Sequence, residues 1–329
     1  MKRILVTGAT GFLGSHLARA LIGRGFQVVA TGRNISKAPA GPEGALLFIP
    51  ADLSNGSDVR RLEAAAGTLD AVVHAAALSA PWGPRQAFHS ANVAATRNIL
   101  DLARSNGTER LVYISTPSIY FRFQDQFGVR ETDPLPPPVN RYSESKRMAE
   151  ELVIQRDDLA SFILRPRGLY GRGDTALLPR LVHAAKRRPL PLLRGGKAVT
   201  DLTHVEDAVD AAIAAIDAPA DAAGIYNISG GEPQRLVDVI ELACGRSGVK
   251  VRWRPTPVRA ALAAARAMEL ACACLPGRPE PPVTAYGVGV LAFSQTLDIE
   301  KARRELGWSP RIGFDEGLDL TFGSAVVGP

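Results

Sequence analysis

The chain has 329 residues, 46% of them apolar and 22% charged, and its mean hydropathy of +0.02 excludes a disordered, collagen-like or membrane-embedded polypeptide. Cys244, Cys272 and Cys274, the three cysteines, form neither an even disulfide framework nor a Cys-x-x-Cys pair, so neither a disulfide nor a metal staple is expected, and a reducing compartment fits. The formal charge of +6 is scattered rather than gathered in a basic run interleaved with aromatics, which favours anionic small molecules over nucleic acid as partners.

Lys2-Arg3 ahead of an apolar stretch imitates a secretory signal, but Gly8, Gly11 and Gly14 interrupt it, and no apolar run approaches the ~20 residues of a membrane span. A cytoplasmic protein without a cleaved leader or integral membrane segment is expected. Ile4-Leu5-Val6 reads as a buried strand, 14–23 as a helix, and 27–30 and 45–49 as further strands. Strands then follow at 71–73, 111–115 and 162–164, separated by helical patterns at 59–65, 92–105 and 143–155. This alternation calls for an α/β fold, a doubly wound parallel sheet covered on both faces.

Beyond Arg165-Pro166 the texture changes. Proline, glycine and arginine become frequent, 187–191 and 276–282 read as loops, and helices return at Val205–Asp217, 236–245 and 258–275. The alanine-rich stretch within the last of these reads as a packed helix rather than a membrane-surface one. A strand at 225–228 is expected to rejoin the first sheet. The expected division is a nucleotide-binding domain over 1–165, rejoined by about 202–230, and a second, smaller α/β substrate lobe over 166–201 and 231–329.

Thr7-Gly8-Ala9-Thr10-Gly11-Phe12-Leu13-Gly14 follows the first strand and opens the first helix. Glycines there let the backbone turn tightly and approach a pyrophosphate, while the helix N-terminus offers free N–H groups to the anion. In that strand-to-helix context the motif predicts a bound dinucleotide. The second strand ends in Gly32-Arg33 and carries no carboxylate. Arginine pairs with a ribose 2′-phosphate where a carboxylate would repel it, so NADP(H) is preferred and NAD(H) is the alternative. Asp52-Leu53 is placed to meet the adenine edge. After the fourth strand, Ala75 and Ala76 in His74-Ala75-Ala76-Ala77 keep the backbone open to a flat ligand.

Tyr142 and Lys146 lie four residues apart, on one face of a helix and about 6 Å apart along its axis. Proton transfer during hydride transfer needs a group titrating near working pH; a tyrosine at about 10 is too high, and a nearby ammonium is expected to lower it. Upstream, the strand at 111–115 runs into Ser115-Thr116-Pro117-Ser118. These hydroxyls sit at a carboxyl end, where such sheets present ligands, and at least one is expected to serve as a turn or cap residue.

The glycine motif, the hydroxyl cluster and the Tyr-x-x-x-Lys pair, in this order, resemble the extended short-chain dehydrogenase/reductase family. The likeness covers nearly the whole chain, including Leu164-Arg165-Pro166-Arg167-Gly168-Leu169-Tyr170-Gly171, His204-Val205-Glu206-Asp207 and Glu305-Leu306-Gly307-Trp308. It implies a Rossmann-type fold, Tyr142 as catalytic acid/base, Lys146 as its pKa-lowering and ribose-binding partner, Thr116 as the carbonyl-polarising hydroxyl, and Pro166 beside the cofactor. It also matches Asn92 to an asparagine behind the site, leaves capping or packing open for it, and allows a homodimer.

Nucleotide-sugar epimerases and dehydratases of that family tend to carry asparagine where this chain has Gly168, and arginine ahead of Asp-Phe/Tyr where it has Thr200-Asp201-Leu202. Arg167, Arg172 or Arg194 could compensate. Ser115-Thr116-Pro117-Ser118, Arg165-Pro166 and Ala80-Pro81-Trp82-Gly83-Pro84 resemble instead the 3β-hydroxysteroid dehydrogenase-like branch, which includes 2-alkyl-3-oxoalkanoate reductases. The expectation is an NADP(H)-dependent oxidoreductase interconverting a ketone and a secondary alcohol on a largely apolar small-molecule substrate, with Trp82 and the second lobe forming the pocket. A nucleotide-sugar epimerase/dehydratase is the alternative. A non-catalytic NADP(H) sensor, which has no need of Thr116, Tyr142 and Lys146 together, ranks below both.

Overall fold

In the computed structural model, which describes residues 1–323, the apolar runs become strands β1 (Arg3–Thr7), β2 (Gln27–Gly32), β3 (Leu46–Pro50), β4 (Ala71–His74), β5 (Arg110–Ile114), β6 (Ala160–Pro166) and β7 (Gly224–Ile228). They form one sheet in the order β7-β6-β5-β4-β1-β2-β3, with every neighbouring pair parallel. Strands as apolar as β1 and β4 have no polar face to leave in water, so both faces of the sheet need cover.

The cover comes from α1 (Phe12–Gly23), α2 (Gly56–Ala66), α3 (Ala95–Ser105), α4 (Arg141–Ile154) and, beyond α5 (Leu178–Arg187) of the second lobe, α6 (Val205–Asp217). Leu13 and Leu17 of α1 pack with Val209 and Ile213 of α6 over Ile4, Val6 and Val28. On the opposite face Leu62, Ile99, Ala149 and Val153 pack over Leu5, Val72 and Leu111. Chain order reverses between β1 and β4, which leaves a crevice beyond their carboxyl ends, the place where open α/β sheets take ligands. No helix among the described residues is long and apolar enough to cross a membrane.

Two sequence expectations need correction. The segment 187–191 is not all loop: Leu190–Leu193 pairs in parallel with Trp253–Thr256. Pro191 has no N–H to give a ladder, but a two-stranded ribbon leaves it an outer edge where none is required. The helix expected over 92–105 is composite, with Arg85–Phe88 leading through a π-turn at His89–Ala94 into α3. The chain beyond β7 also forms α7 (Leu236–Arg246), α8 (Val258–Cys274) and α9 (Ala285–Ala292). Within it α8 packs Ala265 against Val288 and Ala292 of α9.

Candidate active site

The glycine motif forms the floor of the crevice. Gly8 has φ +67°, and a Cβ there would lie 2.8 Å from the Ala76 backbone, so conformation and space both require glycine. Gly11 caps α1 without a side-chain hydrogen bond, leaving the first N–H groups of the helix without partners. A cleft of about 730 Å³ brings together Gly8, Thr10, Gly11, Arg33, Asp52, Leu53, Ala75 and Ala76. It also gathers Asn34 and Lys37 beside Arg33, a cluster the sequence did not disclose. Asp52 folds its carboxylate back onto Ser54, accepting from N at 2.9 Å and Oγ at 2.7 Å.

Phe12 lines an adjoining cavity of about 790 Å³ with Arg19 and Arg172. Leu13, expected at the cofactor, instead sends its side chain into the core under the sheet, because α1 needs that face to pack; only its backbone is left for a ligand. Pro166 is buried at the end of β6, in register with Ile228. This cradle fits a dinucleotide: a backbone turn closed to any Cβ, bare helix N–H groups, and a basic pair at the end of β2.

A capping box opens α4. Ser143 N donates to Asn140 Oδ1 at 2.8 Å, and Ser143 Oγ accepts from Asn140 N at 3.4 Å. Tyr142 and Lys146 follow within the first turns. The Lys146 side chain is fully buried; Nζ donates to Ile114 O, at the carboxyl end of β5, at 2.7 Å and lies 4.1 Å from the centre of the Tyr113 ring. Thr116, two residues past β5, accepts from Ser118 N at 3.2 Å and donates to Ser118 Oγ at 3.1 Å. It is therefore the N-cap of the 3-10 turn Pro117–Tyr120. Ser115 Oγ is buried without a partner.

Burial pushes the Tyr142 phenol above its ordinary pKa, against the pull of the neighbouring Ser79 and Thr116 hydroxyls. Lys146 is not among the groups that lower it, contrary to the sequence expectation; its own ammonium is pushed down to about 7 by burial, with Glu150 pulling the other way. Spacing predicts which residues meet but not how dry the site is. Ser79 had no motif to announce it: it sits in the loop after β4 and meets Tyr142 only through the fold.

A polar network behind the site fixes these parts. Asn92, in the π-turn, accepts from Leu78 N at 2.7 Å and donates to Ser145 Oγ at 2.8 Å; π-turns recur where a side chain must be re-aimed. His74 bonds Thr7 Oγ1 at 2.7 Å and Thr96 Oγ1 at 3.1 Å, and Thr7 Oγ1 accepts from Ala76 N at 3.1 Å. Burial, helped by the Lys146 charge, holds this histidine down at about 3, so it is neutral. One turn beyond Lys146 on the same face of α4, Glu150 receives Arg165 Nε at 3.0 Å and Nη2 at 2.5 Å, while Arg165 Nη1 bonds the Tyr120 hydroxyl. This pair ties α4 to β6.

The second lobe contributes less than expected in one place and more in another. Arg194 is committed to Asp125 at 2.7 and 2.8 Å and is not free for a diphosphate. Trp82 Nε1 donates to Arg278 O at 3.2 Å, joining the 80–84 loop to the lobe. Gly168 has φ +55°, and a Cβ there would lie 2.6 Å from Leu202 Cδ2.

The family model for the NAD dependent epimerase/dehydratase family matches residues 4–229. The chain is 34% identical to 2-alkyl-3-oxoalkanoate reductase of Stenotrophomonas maltophilia, over 96% of this chain and 97% of the relative. It is 30% identical to 3-beta-hydroxysteroid dehydrogenase of Mycolicibacterium neoaurum, over 97% and 90%. Among solved structures, UDP-glucuronic acid 4-epimerase from Bacillus cereus in complex with NAD aligns with a TM-score of 0.74 and 25% identity, covering 97% of both chains.

Proposed function

The chain belongs to the NAD dependent epimerase/dehydratase family, an enzyme family, and within it we propose that it interconverts a ketone and a secondary alcohol on a largely apolar substrate. The observation that carries this is the convergence of Tyr142, Thr116 and Lys146 on one carboxyl edge of the sheet, beside the glycine cradle. Gly8, Thr10, Gly11, Ala75 and Ala76 would hold a nicotinamide dinucleotide, which supplies or accepts the hydride when bound. In reduction the Tyr142 hydroxyl gives its proton to the carbonyl oxygen, and in oxidation the phenolate takes it back. Thr116 Oγ1 donates a hydrogen bond to that same oxygen by turning its hydrogen away from Ser118 Oγ. Lys146, held by Ile114 O, would bind the ribose hydroxyls of the dinucleotide beside Tyr142.

Two observations favour this over a sugar nucleotide. Relatives with stated activities act by name on 2-alkyl-3-oxoalkanoates, a farnesylated 3-oxo-dihydroquinoline-1-oxide and hydroxysteroids. In addition, the position where nucleotide-sugar enzymes carry an amide is here a glycine whose side-chain space Leu202 occupies. The basic pair Arg33 and Lys37 at the cleft supports NADP(H), and three unpaired cysteines support a cytoplasmic location. The test is oxidation of NADPH and of NADH against a panel of 3-oxo acids, ketosteroids and sugar nucleotides. The proposal expects turnover of an oxo acid or ketosteroid, with NADPH the better donor. Turnover of sugar nucleotides alone would overturn it.

A further inference from the structure

Arg167 stands immediately beyond the carboxyl end of β6, on the edge of the sheet that carries Thr116 and faces Tyr142. Its residue is 7% exposed, and the charge has little to meet. Nη2 donates to Thr200 Oγ1 at 3.1 Å, and Nε is buried without a hydrogen-bond partner. Asp201 does not complete a pair with it: one carboxylate oxygen accepts from Leu297 N at 2.6 Å and the other is buried without a partner. Burial pushes the Asp201 carboxyl above its usual range against the pull of the Arg167 charge, and the Arg167 guanidinium below its own against the pull of Tyr286 and Asp201, so the two charges attract without closing an ion pair.

Tyr286, in the first turn of α9, connects this arginine with the reacting group. Burial raises its phenol, the Arg167 charge lowers it, and the Tyr142 phenol raises it again, so both Arg167 and Tyr142 lie near Tyr286. Its ring is braced edge-on against Phe121, with centroids 5.1 Å apart. A buried guanidinium without an ion pair keeps donors for an arriving anion, and Tyr142, near Tyr286, is where the substrate's reacting carbon lies under the proposed function.

We propose that Arg167, with Tyr286 beside it, is the anchor for a carboxylate carried by the substrate two carbons from the reacting carbonyl, so that the substrate class is a 3-oxo (3-hydroxy) acid rather than an uncharged ketosteroid. This rests on the ketone–alcohol reading and narrows it. The free Nε and an Nη of the guanidinium fork match the two oxygens of a carboxylate, and the remaining apolar length of the substrate needs no second charge. Uncharged substrates leave the guanidinium unanswered.

The experiment compares oxidation of a 2-alkyl-3-hydroxyalkanoate with that of its methyl ester, alongside calorimetric titration of decanoate into the protein. The wild type is expected to favour the acid by about ten- to hundred-fold in kcat/KM, through KM, the size of one charge-assisted hydrogen-bonded contact. In Arg167→Met the acid-over-ester ratio should fall towards one and decanoate binding should vanish, while Arg167→Lys retains part of both. Equal use of acid and ester by the wild type, or decanoate binding unchanged in Arg167→Met, would overturn the anchor. The wild-type comparison needs no variant to fold. Turnover of neither alcohol would instead overturn the ketone–alcohol reading, with the decanoate titration still deciding on the anchor.

Discussion

Arg165 and Arg167 stand two residues apart at one strand end, both more than nine-tenths buried, yet their surroundings differ. Arg165 is saturated: Glu150 takes it in a two-pronged pair and Tyr120 takes a third N–H. Tyr120 in turn donates to Asn227 Oδ1 at 3.0 Å, so the chain of bonds ends on the sheet. Arg167 has one hydroxyl and an idle Nε. A buried charge that is fully paired is holding two elements in place, whereas one left short of partners is available to a ligand.

Breaking the saturated side should cost most. Arg165→Met leaves Glu150 buried without its cation, and a loss of about 3–5 kcal/mol in unfolding free energy is expected, read from urea midpoints; a loss below 1 kcal/mol would mean that the pair does not hold α4. His74 makes the paired layer sensitive to acid. It titrates at about 3 when folded, against about 6.5 when unfolded, so protons favour the unfolded chain. Its contribution is complete above pH 6.5 and declines by about 1.4 kcal/mol per pH unit between 6.5 and 3. Urea midpoints at pH 6.5, 5 and 4 should therefore fall more steeply in the wild type than in His74→Asn. Arg167→Met should have the smallest effect on stability, no more than about 1 kcal/mol, because the guanidinium holds one hydroxyl and closes no ion pair. A loss as large as that of Arg165→Met would erase the distinction between the two arginines.

Much of the layered fold was legible because it rests on local patterns: short continuous apolar runs, a glycine turn between strand and helix, and a four-residue spacing on α4. Those patterns located the cradle and brought Tyr142, Lys146 and Thr116 to one edge. What stayed hidden is non-local. Ser79 and Tyr286 reach Tyr142 from distant loop and lobe positions with no motif of their own, and the Leu190–Leu193 strand exists only because Trp253–Thr256 pairs with it. Titration was hidden too. Spacing pointed to a lysine that acidifies the phenol, but burial governs both groups and leaves Lys146 at about 7.

The central claim, that Tyr142 carries the proton at a carbonyl, is tested most directly by Tyr142→Phe, with turnover of the best panel substrate measured alongside nicotinamide dinucleotide binding by fluorescence. The expected result is a fall in kcat of about 10²–10⁴-fold, the range for a positioned acid/base, with dinucleotide affinity within a few-fold of wild type. Turnover close to wild type in a variant that binds the dinucleotide normally would contradict it.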